Sequence, residues 1–287
     1  MRYILIIFSV FLFSLTVISC AKKSGSSSSS TTNTTTSDNT TTTSSGLYIA
    51  VGASGTLLTS SDGTSWDNRT SGTTNNLYGV TYGNSTFVTV GDNGTILTSS
   101  DGTSWTNKRT SSGTSEHLYE VTYGNGLFVT VGENATILTS SDGTTWTERD
   151  GLRSKWAIPK YLKGVTYRKK LFVTVGRNGL ILNSPDGTTW TERKSGTKYN
   201  LVGITYANGL FVGVGKNGQI VTSFDGNWWV KRTYVLPTWL NGVTYGNGTF
   251  VTVGDNGIML TSSDGISWTK RTSVTTNSLS AVTYSNH

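Results

Sequence analysis

The chain has 287 residues, and its 23 lysines and arginines against 16 aspartates and glutamates give a formal net charge of +7. Its single cysteine excludes internal disulfides and any zinc site built from cysteines. The charge excess is modest for this length, so it does not by itself indicate a nucleic-acid partner.

The first predicted element is a leader over residues 1–19. Arg2 precedes an apolar run at residues 4–18, and about 15 residues is short for a membrane-spanning helix but typical of a signal-peptide core. The run ends in Val17-Ile18-Ser19-Cys20, which resembles the lipobox of bacterial lipoproteins. The resemblance implies that Cys20 is lipidated and becomes the first residue of the mature chain. An ordinary cleaved signal peptide with an unrelated cysteine is the alternative.

A tether is predicted next, over residues 20–46. Residues 24–45 are almost all serine and threonine, and a segment with so little apolar surface stays disordered. The tether would hold one domain, residues 47–287, off a membrane. Ala21 follows the cysteine where an aspartate would imply inner-membrane retention, by resemblance to enterobacterial lipoproteins. We therefore expect a lipid-anchored protein of the bacterial cell envelope, at the outer membrane on either side, with no nucleic-acid partner.

The domain is built from repeats. The motif Ser-x-Asp-Gly-x-x-Trp occurs six times, and a period of about 40 residues indicates a propeller or a solenoid. Within a unit, strands rich in Val, Thr, Tyr and Phe are separated by Asn-Gly and Asp-Gly turns, which predicts a four-stranded antiparallel meander. The aspartates of the six motifs are Asp62, Asp101, Asp142, Asp186, Asp225 and Asp264.

The two ends of the domain favour a closed ring. Residues 47–69 match strands two to four of the unit, and residues 279–284 match strand one. Together they would complete one blade and leave no free sheet edge, whereas a solenoid would require polar caps that the sequence lacks. The predicted fold is all-β: a six-bladed β-propeller of four-stranded antiparallel blades, monomeric, with the ring closed by N- and C-terminal strands that share one blade.

The repeated motif resembles the Asp-box, or BNR repeat, of sialidases, some glycoside hydrolases, sortilin-type receptors and photosystem assembly factors. That family's pattern is Ser/Thr-x-Asp-x-Gly-x-Thr-Trp, and all six copies here lack the residue between Asp and Gly. The resemblance implies a structural turn, the third of each blade. Chemistry agrees, because the Asp can accept backbone N–H groups, the Gly can be left-handed, and the Trp can pack between blades. One carboxylate per turn is too few ligands for calcium, so no metal and no cofactor are expected.

Enzymatic activity is not expected from the remaining polar residues. By resemblance, a sialidase would gather three arginines from different blades, but the non-repeating Arg153, Arg168 and Arg177 come from one stretch. A glycosidase needs two carboxylates flanking the scissile bond. The carboxylates left over for that role are Glu116, Glu120, Glu133, Asp92 and Asp255. A glycoside hydrolase or sialidase-like enzyme remains the alternative.

A binding face is predicted where the repeat is broken. In a four-stranded meander the between-blade loops and the second turns share one face, and the first turns and the Asp-boxes share the other. Aromatic and basic residues interrupt the pattern on the first face, and such pairs can stack on sugar rings or hold an extended peptide. Packing of Trp156 within an enlarged loop is the alternative. The predicted ligand-binding residues are His117, Trp156, Lys160, Tyr161, Arg177, Lys198, Tyr199, Lys216 and Trp239.

The sequence therefore predicts a lipid-anchored binding or assembly module that recognises a protein segment or an anionic glycan on the between-blade-loop face. A purely structural scaffold is a third possibility. The tether enters at residue 47, on the predicted Asp-box face, so the binding face would point away from the membrane.

Overall fold

A computed structural model describes residues 19–22, 47–107, 114–150, 160–232 and 237–284. These residues form six antiparallel sheets of four strands, each with its strands in chain order. The first strands of successive blades contact one another, which is the arrangement of a β-propeller. The predicted all-β class and six-blade architecture are confirmed. The described residues contain no helix that is long and apolar enough to cross a membrane.

The strands run from the inner strand, at the axis, to the outer strand of each blade. Blade 1 contains β1 (Ser19–Lys22), β2 (Tyr48–Val51), β3 (Leu57–Ser60) and β4 (Asp67–Asn68). Blade 2 contains β5 (Leu77–Gly83), β6 (Thr86–Gly91), β7 (Ile96–Ser99) and β8 (Thr106–Asn107). Blade 3 contains β9 (Leu118–Gly124), β10 (Leu127–Gly132), β11 (Ile137–Ser140) and β12 (Thr147–Arg149).

The second half of the ring repeats the same plan. Blade 4 contains β13 (Leu162–Arg168), β14 (Leu171–Gly176), β15 (Ile181–Ser184) and β16 (Thr191–Arg193). Blade 5 contains β17 (Leu201–Ala207), β18 (Leu210–Gly215), β19 (Gln219–Ser223) and β20 (Val230–Arg232). Blade 6 contains β21 (Leu240–Gly246), β22 (Thr249–Gly254), β23 (Met259–Ser262) and β24 (Thr269–Arg271). Short 3-10 turns join the second and third strands at Ala53–Gly55, Asp92–Gly94, Glu133–Ala135, Arg177–Gly179, Lys216–Gly218 and Asp255–Gly257.

The repeated Asp-Gly turns are held together by hydrogen bonds within each turn. In blade 3 the Asp142 carboxylate accepts the N–H groups of Thr144 and Thr145, both at 2.8 Å. The Ser140 hydroxyl accepts the Gly143 N–H at 2.8 Å, and the Trp146 indole donates to the Gly143 carbonyl at 3.0 Å. The turn therefore satisfies its own polar groups, which frees the indole to enter the core.

The indoles of the Asp-Gly turns in blades 2 to 6 each pack between two blades. Trp146 lies in one apolar cluster with Val88 and Val90 of blade 2 and Phe128 of blade 3. Its ring centroid is 6.4 Å from that of Phe128, which in turn lies 4.6 Å from Tyr123. Tilted aromatic contacts of this kind add to the area that the rings bury. Each blade thus completes its core only against its neighbour, which explains why the unit is repeated.

Blade 1 differs from the prediction in its inner strand. The edge of β2 pairs with β1, so that Ser19 lies opposite Val51 and Lys22 opposite Tyr48. The predicted partner, residues 279–284, forms no strand there. A free strand edge offers only backbone groups, so any extended segment can satisfy it. The structure therefore does not show the predicted closure of the ring by a C-terminal strand in blade 1.

Residues 279–284 instead lie along β21, where the inner strand of a following blade would lie. The Leu279 N–H donates to the Gly254 carbonyl at 3.0 Å, just as Leu77 N–H donates to Gly52 at 2.9 Å. Tyr284 covers Gly246 as Tyr123 covers Gly83. The segment therefore occupies the position that the inner strand of a seventh blade would have, but it does not pair with β2.

Candidate binding face

One face of the propeller carries the residues that break the repeat, and we call it the mouth. It comprises the second turns, the residues that precede the inner strands, and the second residue of each inner strand. A backbone hydrogen bond repeats across it: the first residue of the second turn donates to the residue before the inner strand. These bonds are Asp92 to Asn76, Glu133 to His117, Arg177 to Tyr161, Lys216 to Asn200 and Asp255 to Trp239, at 2.8–3.1 Å.

The backbone of these turns is held by residues that the repeat keeps constant. In blade 3, Asn134 has φ 48°, a left-handed value that asparagine tolerates well. The preceding Gly132 passes so close to the His117 carbonyl that a Cβ at this position would collide with it. The backbone of the second turns is therefore the same from blade to blade, and only the side chains that these turns present at the mouth vary.

The acidic side of the mouth lies at blades 2 and 3. His117 Nδ1 is 2.9 Å from the Asp92 carboxylate, and its Nε2 is 4.0 Å from the Glu133 carboxylate. The Tyr119 hydroxyl donates to Glu133 at 2.7 Å. The Asn93 N–H, in the same second turn as Asp92, also donates to His117 Nδ1 at 3.2 Å. The loop residue His117 thus links the second turns of two adjacent blades.

The second residues of the inner strands stack beside this cluster. The rings of Tyr78 and Tyr119 have centroids 5.6 Å apart, and Lys163 Nζ lies 3.1 Å from the centroid of Tyr119. Burial lowers the pKa of Lys163 to about 8, and the nearby Glu133 opposes that shift. Burial, followed by a hydrogen bond to Asp92, raises the pKa of Tyr78 to about 12. The lysine is therefore a cation that the protein desolvates against an aromatic ring.

Glu120 introduces a carboxylate near the axis, where the corresponding inner-strand residues are Gly79, Gly164, Gly203 and Gly242. Its side chain keeps a small exposed fraction, but the inner strands enclose it on the other sides. Burial raises the pKa of Glu120 to about 8, against the opposing effect of the Val121 N–H, which donates to it at 3.2 Å. The mouth therefore has an acid at its base that is easily held neutral.

The basic side of the mouth lies at blades 4 and 5. The Arg177 guanidinium lies 5.3 Å from the ring centroid of Tyr161, and Lys216 Nζ lies 5.6 Å from that of Trp239. Both cations are exposed, whereas both rings are half-buried. Cation–π contacts of this kind hold an aromatic face beside a free charge. The structure therefore brings these four predicted residues together in two pairs.

The other predicted residues are placed as follows. Lys198 is exposed and Tyr199 is half-buried in the loop before β17, where the Tyr199 N–H donates to Thr197 Oγ1 at 3.1 Å. The half-buried Lys160 accepts the Ala135 N–H through its carbonyl at 2.7 Å. Trp156 lies outside the described residues. Blade 6 adds Asp255, whose carboxylate accepts Ser278 Oγ at 2.6 Å and Asn241 Nδ2 at 2.9 Å.

Sequence reasoning missed Tyr78, Tyr119 and Lys163. The available signal was the second position of the inner-strand pattern, which reads Tyr78, Tyr119, Lys163, Val202 and Asn241 around the ring. A β-bulge follows each inner-strand leucine in blades 2 to 6, as between Leu77 and Gly79 or between Leu118 and Glu120. A bulge re-aims the extra residue, which is why strict alternation did not identify these side chains as mouth residues.

The opposite face carries the first turns and the Asp-Gly turns, which confirms the predicted division of faces. Lys169 Nζ donates to the Phe224 carbonyl at 3.3 Å, and Asn84 Nδ2 donates to the Ser141 carbonyl at 3.2 Å. Each bond joins a first turn to the Asp-Gly turn of the next blade. Over the described part of the chain, no group of three His, Cys, Asp or Glu side chains could hold a metal ion.

Comparisons with known proteins agree with this architecture. A family model described as the DUF6242 beta propeller domain matches residues 121–238, less than half of the chain. No curated protein matches the sequence. A structure of YCF48 bound to D1 peptide is 18% identical, with a TM-score of 0.61 over 78% of this chain and 76% of that one. YCF48 from Cyanidioschyzon merolae is 15% identical, with a TM-score of 0.64 over 91% and 87% of the two chains.

A third similar structure is the WD40 beta propeller domain of Doa1, which is 12% identical with a TM-score of 0.62 over 82% of this chain and 81% of that one. At these identities the likeness shows the fold alone. The chain is a β-propeller.

Proposed function

We propose that the mouth binds an extended segment of another protein. The observation that carries this proposal is the division of the mouth into an acidic side with Asp92 and Glu133 and a basic side with Arg177 and Lys216. A segment lying across it would place basic residues over blades 2 and 3 and acidic residues over blades 4 and 5. Tyr161 and Trp239 would supply the aromatic contacts that dominate such interfaces.

A protein segment fits this charge pattern better than an anionic glycan does. A chain of uniformly negative sugars would be attracted to the basic side of the mouth. The carboxylates of the acidic side would repel the same chain and weaken its binding. That a structurally similar propeller is recorded with a bound peptide supports the same choice. The anionic glycan remains the second candidate, favoured by the two cation–aromatic pairs alone.

The module would act by binding and not by catalysis. Asp92 and Glu133, two of the carboxylates available for acid–base chemistry, already contact His117, and Glu133 also accepts the Tyr119 hydroxyl. A glycosidase would need two carboxyl groups that are available on either side of the scissile glycosidic bond. We assign these groups to recognition.

The experiment is a selection of short peptides from a random library by the full chain, with an anionic glycan array probed in parallel. Arg177→Ala and Trp239→Ala should each weaken binding of the selected peptide by about 1–3 kcal/mol. Lys169→Ala/Lys170→Ala, on the opposite face, is the matched control and should change little. Binding to anionic glycans with no peptide selected, or loss of binding only in the lysine pair, would contradict the proposal.

We also propose that the protein lies in the bacterial cell envelope, at the outer membrane on either side, and is anchored there through lipid on Cys20. Cys20→Ala should then release the protein from the detergent phase and abolish labelling by a palmitate analogue. Thermal unfolding should not change, because β1 pairs with β2 through backbone groups that alanine keeps. Unchanged partitioning of this variant would contradict the lipid anchor and leave the proposal for the mouth intact.

A further inference from the structure

The Asp-Gly turn of blade 5 breaks the repeat with exposed apolar side chains. Phe224 is 63% exposed and Trp228 is 82% exposed. The positions that correspond to Phe224 hold Ser61, Ser100, Ser141, Pro185 and Ser263, and those that correspond to Trp228 hold Ser65, Ser104, Thr145, Thr189 and Ser267. Because the other five turns form with small or polar residues at these two positions, the fold of the turn does not require the two aromatic side chains.

The first turn of blade 4 breaks the repeat in a second way. Lys169 and Lys170 have φ values of 53° and 59°, in the left-handed region that side chains other than Gly and Asn rarely adopt. The corresponding turn of blade 2 is Asn84-Ser85, and those of blades 3, 5 and 6 use Asn followed by Gly: Asn125-Gly126, Asn208-Gly209 and Asn247-Gly248. Two lysines are therefore kept at a cost in backbone strain, which is typical of functional positions.

These two departures meet in space. Lys169 Nζ donates to the Phe224 carbonyl at 3.3 Å and lies 5.7 Å from the ring centroid of Tyr206. Arg168 and Lys170 are exposed beside it. We call Arg168, Lys169, Lys170, Phe224 and Trp228 the blade 4–5 patch.

The carboxylate within this turn does not cancel the basic charge at close range. Asp225 accepts the N–H groups of Asn227 and Trp228 at 2.8 and 3.0 Å, so its negative charge is directed into the turn. The patch thus combines three outward cations with two outward aromatic rings.

We propose that the blade 4–5 patch docks on an anionic lipid surface. Trp and Phe insert at the level of lipid headgroups, and Lys and Arg next to them attract anionic lipids. Leu47, the residue directly before β2, packs against Gly102 in the Asp-Gly turn of blade 2 and so lies on the same face. Docking through this patch would leave the mouth facing solvent. Membrane docking is a second role, distinct from the peptide binding proposed for the mouth.

The test uses the full chain with Cys20→Ala, so that no attached lipid contributes, and vesicles of phosphatidylcholine with or without phosphatidylglycerol. Phe224→Ser/Trp228→Ser and Lys169→Asn/Lys170→Gly restore residues that other blades use. Each pair should weaken binding to the phosphatidylglycerol vesicles about 10- to 30-fold. The lysine pair should also raise the unfolding temperature, because it removes the strained turn.

The matched control is Val274→Ser, which removes an apolar side chain that is 83% exposed in a loop of the mouth side. It should leave vesicle binding unchanged, and the apolar leader is common to every variant. Three results would overturn the proposal. They are equal binding of the protein to both vesicle types, binding of both patch variants that matches the parent, and a change only in self-association of the protein for the aromatic pair. Peptide binding at the mouth should be the same in all patch variants, so failure of one proposal is distinguishable from failure of the other.

Discussion

Ser140 illustrates how one small residue stabilises a blade. Its buried hydroxyl accepts the Gly143 N–H and donates to Asp142, both at 2.8 Å. Ser140→Ala leaves that buried N–H without its partner and should lower the free energy of unfolding by about 1–3 kcal/mol. Urea unfolding measures the change, and Ser141→Ala, at the exposed neighbouring position, is the control. A variant as stable as the parent would show that water replaces the serine in this turn.

The aspartates of the Asp-Gly turns predict acid sensitivity. Hydrogen bonds from the backbone of Ser267 and Ile266 lower the pKa of Asp264 from 3.8 to about 2, and the other five are lowered by equivalent bonds. Because the folded-state pKa lies below the unfolded one, this stabilisation is present above about pH 4 and is lost as the pH falls toward 2. Thermal unfolding from pH 6 to pH 2 should show a steady fall that Asp264→Asn reduces.

Glu120 predicts the opposite trend between pH 4.5 and about pH 8. Its pKa is raised from 4.5 to about 8, so between these values the unfolded chain loses a proton that the folded protein keeps. The folded state is therefore destabilised progressively as the pH rises through this range. Glu120→Gln should unfold at a higher temperature than the parent at pH 9 and at nearly the same temperature at pH 4. A gain of the same size at both pH values would show that ionisation is not the cause.

At the scale of elements, the C-terminal segment provides the sharpest prediction. Residues 279–284 cover the exposed side of β21 through the Leu279 hydrogen bond to Gly254 and the Tyr284 contact with Gly246. Deleting residues 279–287 should therefore lower the free energy of unfolding by roughly 2–4 kcal/mol, since apolar contacts and a backbone bond are lost. Deleting residues 285–287 alone is the control. Equal unfolding midpoints for both deletions would contradict a stabilising role.

The elements also show where sequence reasoning succeeds. The Asp-Gly turns, the period-two strands and the Trp positions were predictable because each follows from local chemistry repeated six times. The inner strand of blade 1 was not, because the edge of β2 specifies only backbone pairing and two segments of the chain can compete for it. Tyr119 and Lys163 were missed for a related reason: a bulge, and not the alternation itself, decides where they lie.

At the scale of the whole molecule, the two faces differ in what interrupts the repeat. The mouth pairs Arg177 and Lys216 with aromatic rings opposite a cluster of carboxylates, whereas the other face has a single basic and aromatic patch at blades 4 and 5. The sequence predicted the division of faces and three of the aromatic residues of the mouth, Tyr161, Tyr199 and Trp239. The second patch was not predicted, because only the structure shows that Phe224 and Trp228 are exposed and that Lys169 lies beside them.

The measurement that tests the central claim most directly is amide hydrogen exchange of the full chain with and without a peptide selected by it. Binding at the mouth predicts slower exchange in the second turns of blades 3, 4 and 5, at Glu133, Arg177 and Lys216, with no change in the Asp-Gly turns. Protection confined to the turn that contains Phe224 and Trp228, or no protection in the second turns, would contradict the account.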